Sequence, residues 1–370
     1  MHTNSRLFSR LGSSPLLIVT VVFTLLAFTV QASAQKIITY DVPGAGTAPG
    51  QGTFAANVND WGLVTGWYTE STGSTHGYIR YPDGRFASFD APDAIGGTLG
   101  VFPNNAGEIE GIYYDSAFIM HGFIRSPRGA ITEFDFPNSP QGTFAQAFND
   151  AGVVTGTGWD ANGLGHGFVR YRDGNFTEFD PPDLETGCSG AFNFSCGTWP
   201  LSINSKGAIT GYSVTSNGAA TGFVRAADGT ITELEPGPGY WINNRGEVAG
   251  VYSLDNNTVT RSYLRDPEGR LTEYSVPGGA PTWGWSVNES SVVTGWWWDT
   301  NNNVSHGFVR TPDGRITKFD APGAVQGTTP ENINDAGIIS GEYIDANNVT
   351  HGFIRLPEPP APREDGTLQP

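Results

Sequence analysis

One phrase is repeated through the whole chain at a nearly fixed interval. In its fullest form it reads His306-Gly307-Phe308-Val309-Arg310-Thr311-Pro312-Asp313-Gly314-Arg315-Ile316-Thr317-Lys318-Phe319-Asp320-Ala321-Pro322. Copies start at His76, His121 and His166, looser ones at Thr221 and Arg261, and a truncated one at His351. The steps between starts are 45, 45, 55, 40, 45 and 45 residues. A period near 45 residues belongs to stacked or radial repeat architectures, so the 370 residues are expected to form one large domain.

Each copy divides into four strand-length runs, in the first copy about 53–58, 63–68, 76–81 and 85–91. Asn59-Asp60-Trp61-Gly62 and Pro82-Asp83-Gly84 join them with hairpin chemistry, Asn or Asp opening the turn and Gly closing it. The 50 Gly and 25 Pro fit a chain of tight turns. Four antiparallel strands per repeat predict an all-β, seven-bladed β-propeller, with an open solenoid as the structural alternative. Asn59, Asn104, Asn149, Asn204, Asn243, Asn288 and Asn334 each mark one turn between the first two strands. The last copy lacks a fourth strand, and residues 36–43 (Ile37-Ile38-Thr39-Tyr40-Asp41-Val42-Pro43) match the missing one. The N-terminal strand is therefore expected to complete the last blade and close the ring, hiding strand edges. Four residues before the marker Asn stand small or compact residues: Ala55, Gly100, Ala145, Pro200, Gly239, Gly284 and Pro330. They suit the crowded inner strand, and the larger Phe54, Leu99, Phe144, Trp199 and Trp283 beside them are expected to pack between blades.

The Ile-Asn-Asp-Ala-Gly, Gly-x-Tyr and His-Gly-Phe-x-Arg phrases resemble the HAF family of probable extracellular repeats over roughly residues 36–356. The middle residue of the His-Ala-Phe core is Gly in the five His-bearing copies, a departure. The resemblance implies secretion and a propeller-like repeat, and it transfers no catalytic residue.

Residues 1–34 read as a secretory signal: Arg6 and Arg10, then the apolar run from Leu16 to Val30, then Ala32-Ser33-Ala34. The run is short for a membrane span, and no later segment offers one. The propeller is assigned to 35–356 and a flexible tail to 357–370. Secretion or a periplasmic location follows. The net charge of −17, near −19 after loss of the two arginines, repels nucleic acid. Cys188 and Cys196 lie in the one 55-residue repeat and are expected to form a disulfide across a surface loop.

Three constellations invite chemistry. The first pairs each repeat histidine with a carboxylate six or seven residues before it: Glu70 with His76, Asp115 with His121, Asp160 with His166, Asp299 with His306, Asp345 with His351. Where the histidine is lost, as at Thr221 and Arg261, the aligned acid is lost too. Five equivalent pairs predict a structural latch in each blade, because an enzyme needs one. The second is the series Asp41, Asp90, Asp135, Asp180, Glu235 and Asp320, broken by Ser275, read as loop caps and alternatively as calcium ligands. The third is Trp283, Trp285, Trp296, Trp297 and Trp298. Trp296 and Trp297 are expected in the core, while Trp298 and its counterpart Trp159, with Asp299 and Asp160, are the candidate ligand contacts. No nucleophile elbow, phosphate loop or zinc-protease motif is present. The reading is a non-catalytic binding propeller for a carbohydrate or protein ligand. A hydrolase or lyase at the central funnel, calcium-dependent or not, and a structural cell-surface assembly protein are the alternatives.

Overall fold

The computed structural model describes residues 36–182, 184, 196–216, 218–254, 259–278 and 280–357. The expected signal segment, nearly all of the expected tail and Cys188 lie outside them. The described residues form 28 strands in successive antiparallel groups of four, the blades of a β-propeller. No helix among them is long and apolar enough to cross a membrane.

The first group shows the plan. Gly52–Val58, Val64–Thr69, Thr75–Arg80 and Phe86–Phe89 occupy positions A to D from the axis outward. Phe54 pairs with Trp67, Val64 with Arg80, and Gly77 with Phe89. Asn59 builds the A–B turn: its Oδ1 accepts from Trp61 N at 3.1 Å and Leu63 N at 3.0 Å, and Gly62 closes it at φ +78°. The N-terminal strand Ile37–Tyr40 pairs antiparallel with Thr350–Arg355, Ile37 opposite Arg355 and Tyr40 opposite Gly352.

Blades touch near the axis where strand A begins. Gly52 bridges Thr350 there, and a Cβ on Gly52 would sit 2.0 Å from Thr350 O. Its φ of +119° also demands glycine.

The repeated phrase holds neighbouring blades together. Its aromatic residue on strand C is fully buried in every copy: Tyr78, Phe123, Phe168, Phe223, Tyr263, Phe308 and Phe353. Most of these meet the strand-D aromatic of the preceding group edge to face, as Phe89–Phe123 at 6.0 Å and 78°, Phe179–Phe223 at 5.9 Å and 77°, and Phe319–Phe353 at 5.9 Å and 78°. The arginine two residues on covers the same ring: Arg125 over Phe89 at 5.0 Å, Arg225 over Phe179 at 4.9 Å, Arg355 over Phe319 at 5.2 Å. Tyr40 plays the strand-D part toward Tyr78 and Arg80. Burial of such a ring contributes about 2–3 kcal/mol, and the edge-to-face and cation–π contacts add about 0.5–1.5 kcal/mol each.

Candidate functional site

Every strand A carries a bulge at the same place. The register against strand B shifts between Gly100 and Phe102, Ala145 and Ala147, Pro200 and Ser202, Gly239 and Trp241, Gly284 and Ser286, and Pro330 and Asn332. In the first group the shift spans Ala55 to Val58. A bulge breaks the alternation of faces and re-aims one side chain. The residue inside it is Ala56, Val101, Gln146, Leu201, Tyr240, Trp285 or Glu331, and all of these line one central cavity.

The cavity holds about 560 Å³, within the range of small-molecule sites. Its wall is mostly apolar and rich in aromatic side chains, among them Trp67, Trp159, Trp199, Trp241, Trp285 and Tyr240. Trp285 lies on Tyr240 at 4.6 Å, and Trp159 meets Trp199 edge-on at 5.6 Å. Phe102 and Trp241 stack at 6.0 Å and 29° although they come from different blades. Trp241 lines both the cavity and the opposite mouth, so this pair forms a floor between them.

That mouth is polar and carries the marker asparagines. Each side-chain amide donates to the next marker's backbone carbonyl. Asn59 donates to Asn104, Asn149 to Asn204, Asn204 to Asn243, Asn243 to Asn288, Asn288 to Asn334, and Asn334 to Asn59, over 2.8–3.1 Å. The Asn104–Asn149 step measures 3.5 Å.

Two carboxyls, Glu331 and Glu342, are the acids of the cavity wall. They stand on the neighbouring strands Gly327–Ile333 and Ile339–Ile344 of one blade. Burial pushes the Glu342 carboxyl up to about 7. Burial, and then the charge of Glu342, holds Glu331 well above the ordinary carboxylate range. Among the described residues no Lys, Arg or His lines this cavity. Burial raises the phenol of Tyr240 to about 12.

The histidines sit elsewhere, outside the cavity wall. Each binds through Nδ1 the acid that ends strand D: His76 to Asp90, His121 to Asp135, His306 to Asp320 and His351 to Asp41 at 2.8 Å, and His166 to Asp180 at 2.7 Å. The acid six or seven residues upstream lies farther off. Glu70, Asp115 and Asp345 approach Nε2 at 3.6–3.7 Å. Among the described residues Asp160 and Asp299 form no ion pair with His166 and His306, although the Asp160 charge helps raise the His166 pKa. The upstream acids mainly close their own turns: Asp115 Oδ1 accepts from Ala117 N and Ile119 N, and Asp160 Oδ1 from Asn162 N and Leu164 N. The bonded partner of each histidine is thus the strand-D acid. Sequence reasoning treated histidines and strand-D acids as separate series because the residues of a pair are 14 apart, or 310 for His351 and Asp41. Tyr113, Trp297 and Tyr343 stack on His121, His306 and His351 at 4.6–4.9 Å. The Asp180 hydrogen bond raises the His166 pKa. His166, Glu178 and Asp180 bring three donors within 4.8 Å, but Asp180 already accepts from Thr198 Oγ1 at 2.5 Å.

Of the candidate ligand contacts, Trp159 is 1 % exposed and reaches the cavity wall, while Trp298 is half-buried and does not line it. Trp297 is buried and Trp296 half-buried against Trp283 and Trp285. Phe144 and Trp199 pack edge-on across neighbouring blades at 6.4 Å, as expected, and with Leu99 they also line the cavity. Sequence reasoning passed over the bulge residues because simple alternation along strand A hides them. Their signal is the position three before each marker Asn, where composition runs from Ala to Trp on a constant frame.

No protein-family model and no curated protein sequence matches the chain. Solved β-propellers do. A virginiamycin B lyase from Staphylococcus aureus superposes with a TM-score of 0.53 at 17% identity, covering 87% of this chain and 100% of the other. The β-propeller domain of the Trilobed protease from Pyrococcus furiosus, which has an open velcro topology, gives 0.54 at 9% identity, over 83% and 96%. At such identities the likeness concerns the fold.

Proposed function

We propose that the chain is a secreted or periplasmic, non-catalytic binding propeller of the HAF type, and that its ligand sits in the central cavity. The observation that carries this reading is the cavity: one central chamber rich in aromatic side chains, lined in every blade by the bulge residue of strand A, whose identity changes from blade to blade. A constant frame with variable lining positions is how repeat scaffolds carry recognition. The frame is a seven-bladed ring closed by the N-terminal strand. The pairing of Ile37–Tyr40 with Thr350–Arg355 and the return of the asparagine circuit from Asn334 to Asn59 support closure. The ligand enters from the face opposite the asparagines, since Phe102 and Trp241 floor the other end. It presents an apolar face, a flat sugar face included, to the tryptophans.

Five tryptophans on the wall make binding visible in fluorescence. Titration with neutral ring compounds, phenyl glucoside and cyclohexanol among them, is expected to give saturable quenching that Val101→Trp abolishes by filling the chamber. Absence of saturable quenching by any of them in the folded protein would count against the reading. Secretion is checked by the mature N-terminus, expected at Gln35.

A hydrolase reading is the runner-up, and the Glu331–Glu342 pair favours it: two carboxyls with perturbed pKa values in a cavity are candidates for acid–base work. The binding reading fits better because both acids stand on adjacent strands of one blade, on one side of the chamber. A glycosidase pair must flank the bond it cuts. Turnover of aryl glycosides that Glu331→Gln or Glu342→Gln removes would reverse the preference.

A further inference from the structure

The chamber is apolar and uncharged around most of its wall, and its acids are gathered on one side. The flanking bulge residues are Trp285 in the preceding blade and Ala56 in the following one. Trp285 stacks obliquely on Trp296 at 5.2 Å, and on the other side Trp67 lies flat on Phe54 at 5.5 Å and 7°. Ala56 leaves space before the acids where its counterparts, such as Tyr240 and Leu201, would fill it. Gln146 Oε1, another acceptor on the wall, has no hydrogen-bond partner among the described residues. Aromatic faces, acceptors and acids, with no cationic side chain, define a chemistry that prefers positive charge.

We infer that the ligand of this cavity is an organic cation with an apolar body, a quaternary or protonated amine seated between Trp285 and Trp67 against Glu331 and Glu342. This deepens the binding reading above and rests on it. A carbohydrate is disfavoured because the wall supplies few polar partners for its hydroxyls, and each unpaired one costs about 1–3 kcal/mol. An anion meets only acids and ring faces.

Proton balance follows. In the ligand-free chamber burial favours the neutral carboxyls. An arriving cation stabilises a carboxylate, so below about pH 7 binding a quaternary ammonium expels up to one proton to solvent, whereas at pH 8 the cation meets a Glu342 that is already largely ionised. The other titratable groups of the wall are Tyr114 and Tyr240, and Tyr40 and Tyr78 in nearby strands feel the charge of Glu342. All four phenols are raised by burial and stay neutral at physiological pH.

The test compares benzyltrimethylammonium with its uncharged carbon isostere neopentylbenzene, followed by tryptophan fluorescence at pH 5 and pH 8. The cation is expected to bind at least about ten-fold more tightly at pH 8, and the preference to shrink at pH 5. Glu331→Gln combined with Glu342→Gln is expected to remove the preference for the cation over the isostere and its pH dependence. Equal binding of both probes by the parent protein overturns the cation assignment while the binding chamber stands. Binding of neither overturns both.

Discussion

Glu110 offers the most direct test of how neighbouring blades are held together. It lies in the strand Ile109–Tyr114, is 0 % exposed, and neither carboxyl oxygen has a hydrogen-bond partner among the described residues. At the same place the other blades carry Thr65, Thr155, Thr210, Ala249, Thr294 and Ser340. Thr65 Oγ1 donates to Val101 O at 2.8 Å and Ser340 Oγ to Ala56 O at 3.0 Å, both bulge carbonyls of the next blade. Burial alone raises the Glu110 pKa well above 4.5, so the folded protein holds this carboxyl neutral. In the unfolded chain it ionises above about pH 4.5. The folded state then binds one more proton, and this group lowers stability as pH rises, by about 1.4 kcal/mol per pH unit, for as long as the folded carboxyl stays protonated. Glu110→Gln keeps the shape and removes the titration, and Glu110→Thr restores the pattern of the other blades. Urea unfolding of parent and variants at pH 5, 6, 7 and 8 measures it. The variants are expected to gain on the parent as pH rises, by up to about 1.4 kcal/mol per pH unit while the folded carboxyl stays protonated. Glu331 and Glu342 are common to all three proteins and cancel. A difference that does not change between pH 5 and pH 8 would refute a neutral, unpaired Glu110.

Other perturbations read other layers. Phe308→Ala empties a fully buried site against Tyr274 and is expected to cost about 3–5 kcal/mol in chemical denaturation. Asn149→Ala removes the acceptor for Ala151 N and Val153 N and the donor to Asn204 O, and about 2–4 kcal/mol of unfolding free energy should go with it. His166 has a raised pKa in the folded state, so its bond to Asp180 stabilises fully below pH 6.5 and its contribution is lost as pH rises through the folded pKa. Asp180→Asn is therefore expected to destabilise more at pH 5.5 than at pH 8.5 in parallel thermal melts.

The sequence by itself determined the blade. A 45-residue period, two hairpin turns per copy and a buried aromatic in each His-Gly-Phe phrase leave few ways to bury the apolar residues, and four antiparallel strands satisfy all of them. The N-terminal strand was also legible, because 37–43 repeats the strand that the last copy lacks. Partners distant along the chain were not. His351 finds Asp41, and Arg355 covers Phe319, only because blades stand side by side. Neither was the cavity. Strand A reads as ordinary alternation until the bulge turns one residue per blade toward the axis, and the bulge depends on pairing with strand B. Glu331 and Glu342 look like two unremarkable acids 11 residues apart in sequence. Their shared desolvation, and any function that follows from it, exists only where blades converge and water is displaced by tryptophan.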